Sequence, residues 1–134
     1  MSDLTTRRLF ELACAARGKS HSPYSNFAVG AALETRCGTV FTGCNVENGA
    51  YGLCICAEQV AITKAVSEGY RDFARIVVVA EPRATPCGAC RQVIGEFFQD
   101  EALIHAFAAE DFNNQITWTL RELLPDRFQF REQE

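Results

Sequence analysis

The chain has no apolar run approaching the ~18 to 20 residues a bilayer-spanning helix requires, so none is expected. No stretch concentrates Lys and Arg, and the formal net charge is −4. A protein that grips a phosphate backbone needs a basic stripe, because that attraction supplies most non-specific affinity. The sequence therefore points away from nucleic acid and membrane, and towards a small neutral partner. The opening residues, Met1-Ser2-Asp3-Leu4-Thr5-Thr6-Arg7-Arg8, contain neither the apolar segment nor the cleavage site of an export signal, which predicts a cytoplasmic protein. Internal repeats, low-complexity segments and linkers are missing too. What remains is a single domain over 1–134, 48% apolar and 22% charged, within the range of ordinary globular chains. A domain of that size buries roughly two-thirds of its unfolded surface, enough for one core.

Cysteine is abundant by contrast, with seven in the chain. An odd count without an export signal argues against a disulfide framework, and in a reducing compartment clustered cysteines lean towards metal or catalysis. Cys14, Cys37 and Cys44 stand alone and are expected to be small buried side chains. Cys54, Cys56, Cys87 and Cys90 form two clusters.

Periodicity places those clusters. Leu4 to Ala16 has a helical stripe at Leu9, Phe10, Leu12, Ala13 and Ala16, with Ser2 or Asp3 as cap. Phe27 to Leu33 and Thr39 to Cys44 read as a hairpin joined at Thr35-Arg36-Cys37-Gly38. Asn45 to Leu53 is loop. Cys54 to Glu68 is helical, with Gly69 as stop. Arg75 to Ala80 reads as a central strand covered on both faces. After a loop over Glu81 to Pro86, Cys87 to Phe98 is helical and Leu103 to Phe107 a strand. Asn113-Asn114 reads as a turn, Gln115 to Trp118 as a strand, and Thr119 to Leu124 as a short helix stopped by Pro125. This order predicts an α/β domain, a three-layer α/β/α sandwich around a mixed sheet of about five strands.

Two helix starts then hold the cysteines: Cys56-Ala57-Glu58 and Pro86-Cys87-Gly88-Ala89-Cys90. Cys-x-x-Cys at a helix start puts two thiolates on one side of a tight turn. Alone it also suits a redox pair or half of a structural zinc site with Cys54 as a fourth ligand. A catalytic zinc keeps one of four tetrahedral positions for water and takes three from the protein. Cys56 supplies the third if the helix starts face each other, as they can when both follow strands ending at one sheet edge. Glu58 then lies near the open position without being a ligand. Adding this second helix start favours the open catalytic site. His21 and His105 lack metal-ligand spacing to a second His and are not expected to bind metal, and Trp118 is expected in the core or at a subunit contact.

Those two motifs resemble the zinc-deaminase signature. Pro23-Tyr24-Ser25-Asn26-Phe27, Gly43-Cys44-Asn45-Val46-Glu47-Asn48, Lys64-Ala65-Val66-Ser67-Glu68-Gly69 and Cys90-Arg91-Gln92-Val93-Ile94 are similar to the small homotetrameric cytidine deaminases. The likeness runs from Leu9 to Leu123-Leu124-Pro125. It implies the cytidine deaminase fold and one zinc per chain on Cys56, Cys87 and Cys90, with water as fourth ligand. It also implies hydrolysis of cytidine and 2′-deoxycytidine to uridine, 2′-deoxyuridine and ammonia in pyrimidine salvage, with Glu58 shuttling the protons. Asn45 and Glu47 would hold the ribose 3′-hydroxyl, Phe27 would border the pyrimidine, and the Ala57 backbone would meet the base edge. Tyr51 and Phe128 would reach into a neighbouring subunit's site.

The chain departs from the family pattern at Gln59, where an arginine commonly neutralises the thiolates. Three thiolates on a divalent ion leave the site at −1. Gln59 can donate a hydrogen bond to sulfur without charge, and Arg91 or another basic residue would supply compensation. Action on N4-substituted cytidines or another small aminated heterocycle is the alternative enzyme reading; a structural zinc module is the non-enzyme one.

Overall fold

The computed structural model describes residues 3–130; the expected cap at Ser2 and the side chain of Asp3 lie outside what is described. The order is α1 (Asp3–Arg17), β1 (Val29–Thr35), β2 (Val40–Cys44), a single 3-10 turn (Tyr51–Leu53), α2 (Ala57–Ser67), β3 (Phe73–Ala80), α3 (Gly88–Phe97), β4 (Phe98–Ala108), β5 (Asp111–Thr119) and α4 (Leu120–Leu123). The strands form one sheet in the order β2-β1-β3-β4-β5. β3 and β4 run parallel, as a crossover through α3 requires, and the other neighbours are antiparallel.

Period-2 alternation on the central strands sorts their side chains onto two faces. Ala32, Val77, Val79 and Phe107 meet Leu9, Phe10 and Ala13 of α1. Ala31, Leu33, Ile76 and Ile104 meet Ala61, Ile62 and Ala65 of α2, Ile94 of α3, and Leu120 and Leu123 of α4. The result is the expected α/β/α sandwich with a five-stranded mixed sheet. Two glycines set how closely the helices lie on it. A Cβ on Gly30 would sit 2.0 Å from the Ala13 carbonyl oxygen of α1. On Gly43 it would sit 2.7 Å from the Ala57 carbonyl oxygen, so β2 receives the first turn of α2 only because that position lacks a side chain.

The structure shifts several expected boundaries, starting β1 at Val29 rather than Phe27, and leaves Cys14 and Cys44 half-buried rather than buried. Asn113-Asn114 is not a turn: the chain reverses at Ala109-Glu110, with Glu110 left-handed at φ 64°, and both asparagines lie within β5. β5 is an edge strand with a mostly exposed face, so polar residues cost it little. α2 starts at Ala57 and not at Cys54, because Ile55 and Val46 exchange two backbone hydrogen bonds of 2.9 Å that hold the segment extended. β4 starts at Phe98, directly after α3, because Phe98 already pairs with Phe73. Cys37 is exposed at the hairpin turn rather than buried, with its thiol 3.3 Å from the Thr35 hydroxyl.

Candidate metal centre and nucleoside pocket

Strand register explains why the two cysteine motifs meet. β1 pairs antiparallel with both β2 and β3, matching Gly30 with Cys44 and Val29 with Ala80. The C-terminal ends of β2 and β3 therefore lie at one sheet edge, and the segments leading to α2 and α3 both leave from it. Cys56 is the N-cap of α2 and Cys87 the N-cap of α3, with Cys90 in its first turn. The three sulfurs lie within 4.8 Å of one another. A tetrahedral zinc with ~2.3 Å bonds to sulfur needs them about 3.8 Å apart, so the donors fit that metal. All three are thiols, the soft donors zinc prefers.

Cys54 does not join them. Its sulfur accepts from the Asn48 amide at 3.3 Å and faces the Asn48 carbonyl oxygen at 3.6 Å. Among the described residues the cluster therefore holds three cysteines and not the four a structural zinc site would use. His21 is exposed in the segment before Phe27, and His105 bonds Thr117 in β4, so neither approaches the cluster. Trp118 packs on the core, as expected.

The surroundings of the sulfurs partly prepare them for a cation. A hydrogen bond from Cys90 brings Cys56 down to about 7, against opposing burial and the Glu58 charge, while that bond and burial drive Cys90 up. The Cys90 amide donates to the Cys87 sulfur at 3.4 Å. Cys56 and Cys87 stand at the N-caps of α2 and α3, so the positive ends of both helices lie at the cluster. Gln59 donates from Nε2 to the Cys90 sulfur at 3.6 Å, the neutral contact expected of it. Arg91 turns elsewhere: Nε donates to the Pro86 carbonyl and a terminal nitrogen to the Leu123 carbonyl, both at 2.9 Å. Its hydrogen bonds therefore reach backbone carbonyls where the sequence suggested compensation at the sulfurs.

Glu58 is the buried acid of the site, only 5% exposed, and burial pushes its carboxyl up. A group so placed is suited to holding a proton as well as releasing one. It lines a cavity of about 260 Å³ together with Cys56, Cys87, Cys90, Phe27, Asn45, Glu47 and Ala57. Eight of the residues named from sequence thus converge on one space. Asn45 is fixed from three sides: its Oδ1 accepts from the Val29 amide at 3.0 Å and the Ser20 hydroxyl, and its Nδ2 donates to the Phe27 carbonyl at 2.8 Å. Glu47 accepts from the Tyr24 and Ser25 amides at 3.0 and 3.2 Å and from the Ser25 hydroxyl, and that hydroxyl holds its carboxyl low.

Tyr51 and Phe128 do not line this cavity; they are 73% and 70% exposed. Sequence reasoning also missed Val29 and Val78 in its wall, and Ala84 and Thr85 on the loop before α3. Their apolar, β-prone runs marked the two valines as strand residues, but only the register turns them towards the cavity. A larger cleft of about 720 Å³ lies between the end of α3 and the C-terminal segment. Its arginines, Arg121 and Arg127, already pair with Asp100, and the cysteine cluster is not part of it, so the smaller cavity is the chemical site.

Comparison with known proteins agrees with this geometry. Residues 4–106 match the family model described as the cytidine and deoxycytidylate deaminase zinc-binding region. A probable cytidine deaminase of Dictyostelium discoideum is 60% identical over 81 residues, 58% of this chain and 55% of that protein, so this match spans about half of the relative. A cytidine deaminase of Halalkalibacterium halodurans is 43% identical over 122 residues, covering 90% of this chain and 91% of that one. The 1.6 Å crystal structure of a Burkholderia pseudomallei cytidine deaminase superposes with a TM-score of 0.85 at 46% identity, covering 91% of this chain and 98% of that one. The family match takes in both helix starts that bring the three cysteines together, and the chain belongs to the cytidine and deoxycytidylate deaminase family.

Proposed function

We propose that this protein is a cytidine deaminase: it adds water across C4 of cytidine or 2′-deoxycytidine and releases uridine or 2′-deoxyuridine with ammonia. The observation that supports this most is the buried Glu58 carboxyl in one cavity with the three-cysteine cluster. Zinc held by Cys56, Cys87 and Cys90 supplies, when bound, a Lewis acid that brings the pKa of water from 15.7 towards ~7. Glu58 takes the proton that water gives up and passes it to ring N3. It then delivers the second water proton to the departing amine. One carboxylate serves each transfer because water and leaving group are held on the same side of the ring. Burial supports this role, since it raises the carboxyl and so favours its protonated form.

Phe27 borders the pyrimidine, the Ala57 backbone meets the base edge, and Asn45 and Glu47 take the ribose 3′-hydroxyl. The existing bonds of Asn45 leave one amide hydrogen to donate, and Glu47 keeps lone pairs to accept. A neutral hydroxyl is matched by that pair; a phosphate meets the Glu47 charge. The substrate is therefore a nucleoside rather than a nucleotide, consistent with a place in pyrimidine salvage.

The assembly is a homotetramer in which Tyr51 and Phe128 close a neighbour's pocket. Supporting this, Tyr24, Tyr51, Leu53 and Ile55 are all exposed, the Tyr24 and Tyr51 rings lie 6.0 Å apart and Ile55 lines the cavity; grouped apolar exposure of this kind marks an interaction surface. The described residues build one sheet, in keeping with one catalytic domain over 1–134. Among the described residues no helix is long and apolar enough to cross a membrane, and we place the protein in the cytoplasm.

The test is the loss of cytidine ultraviolet absorbance on adding zinc-loaded protein, with product identified by chromatography and CMP run alongside. Conversion of both nucleosides with CMP untouched is expected. A protein with one zinc per chain that converts neither nucleoside overturns the reading.

A further inference from the structure

Beyond the residues that touch substrate or metal, the structure assigns a positioning role to Arg91: its guanidinium clamps the metal-ligand turn of α3 to the C-terminal segment, making the two one unit. This rests on the reading that Cys87 and Cys90 hold zinc.

The clamp starts from two carbonyls that secondary structure leaves without partners. In α3 the first helical bond runs from the Arg91 amide to the Cys87 carbonyl at 2.9 Å. The preceding carbonyl, Pro86, lies outside the helix, and the Cys90 amide four residues on donates to the Cys87 sulfur at 3.4 Å. At the other end, α4 closes with the Leu124 amide on the Leu120 carbonyl, which leaves the Leu123 carbonyl among the orphaned ones. Arg91 satisfies both at 2.9 Å with two arms of one planar fork. Pro86 is the peptide immediately before Cys87, so the clamp fixes the direction from which that ligand enters.

The same face of α3 holds the chain beyond Leu123. Gln92 donates from Nε2 to the Phe128 carbonyl at 3.1 Å. Gly95, one turn after Arg91, lets the segment lie against the helix backbone, since a Cβ there would come 3.0 Å from Cδ of Arg127 and 3.2 Å from Cδ2 of Leu124. Arg127 then pairs with Asp100. Both ends of 123–128 are thus tied to the helix whose first turn supplies two of the three thiols, and the segment ends by presenting Phe128 outward. Whatever loosens one end of this unit loosens the other, and the coupling is reciprocal.

Zinc transfer from the loaded protein to a chromophoric chelator tests the clamp without any substrate. Arg91→Met and Arg91→Lys are both expected to release zinc about tenfold faster than wild type, the usual scale for outer partners of metal ligands. Lys keeps the charge but cannot bridge two carbonyls as the fork does. Wild-type release from Arg91→Lys means charge is the active property and overturns the clamp, as does wild-type release from both variants. If neither variant folds, hydrogen exchange of wild type decides. Stripping zinc is expected to speed exchange across 123–128 while sparing the hairpin turn at 35–39; no change at 123–128, or an equal rise at both, overturns the proposal. A wild type that holds zinc but leaves cytidine intact removes the deaminase reading alone. Active protein with unaltered release in both variants removes the clamp alone.

Discussion

Between α1 and the sheet lie the buried Arg75, His105 and Thr6; on the other side of the sheet Glu58 of α2 and Cys90 of α3 are buried. On the α1 side the polar groups bond to one another or to the strand beside them, save for Nε2 of His105. Arg75 donates to the Thr6 hydroxyl at 2.9 Å and lies 3.6 Å from Glu34, and His105 shares a 2.9 Å hydrogen bond with Thr117. Apolar side chains of α1 pack around them and none of these groups lines the cysteine cavity. On the α2–α3 side Glu58, three thiols, Asn45 and Glu47 face one cavity. Burial of titratable groups is common to both faces and so marks no site by itself. Convergence on a shared space does.

That contrast can be broken from either side, and the largest effect belongs to the cysteines. Cys90→Ser is expected to leave less than a tenth of the zinc per chain and to lower kcat/KM by more than ~10³-fold, because a catalytic zinc has only three protein ligands to lose. Metal analysis and steady-state kinetics on the same sample read both.

The α1 face answers in stability and not in turnover. Burial, and then the Arg75 charge, lower His105 to about 4 from the usual 6.5. Its Nε2 is buried without a hydrogen-bond partner. The unfolded chain binds a proton below 6.5 that the folded chain refuses until about 4, so stability falls as pH drops through that window and is unaffected above it. The loss attributable to His105 is about 3 kcal/mol by pH 4. Denaturant unfolding between pH 7 and 4 is expected to show a shallower decline for His105→Gln than for wild type.

Arg75→Met comes next, with an expected loss of about 2 kcal/mol from the unpairing of Glu34 and Thr6. Turnover per folded molecule stays at the wild-type value, checked by kinetics on samples of known folded fraction. The smallest effect is at Cys54→Ser. Its contacts run to Asn48 and not to the cluster, so zinc content is expected to remain at one per chain by metal analysis.

Legibility in the sequence followed the same division between local and long-range chemistry. Cys56, Cys87, Cys90 and Glu58 were readable because each sits at a helix start whose capping and spacing are local. Phe27, Asn45, Glu47 and Ala57 were readable through family likeness, and the structure brings them to the same cavity. Val78 and Val29 were not, since which wall a strand residue faces depends on register with strands far along the chain. Asn113-Asn114 misled because turn chemistry is tolerated on an exposed edge strand. The partners of Arg91 were invisible for another reason. They are backbone carbonyls, which every residue possesses and no residue type advertises.

The central claim is that Glu58 moves the protons of the reaction while the cysteines alone hold the metal. Glu58→Gln keeps the size and the hydrogen-bonding amide of the side chain but cannot accept a proton. With zinc held at one per chain, kcat on cytidine is expected to fall by about 10²- to 10⁴-fold, the range assigned to a positioned acid–base group. A zinc-loaded Glu58→Gln protein that turns over cytidine within tenfold of wild type contradicts the account.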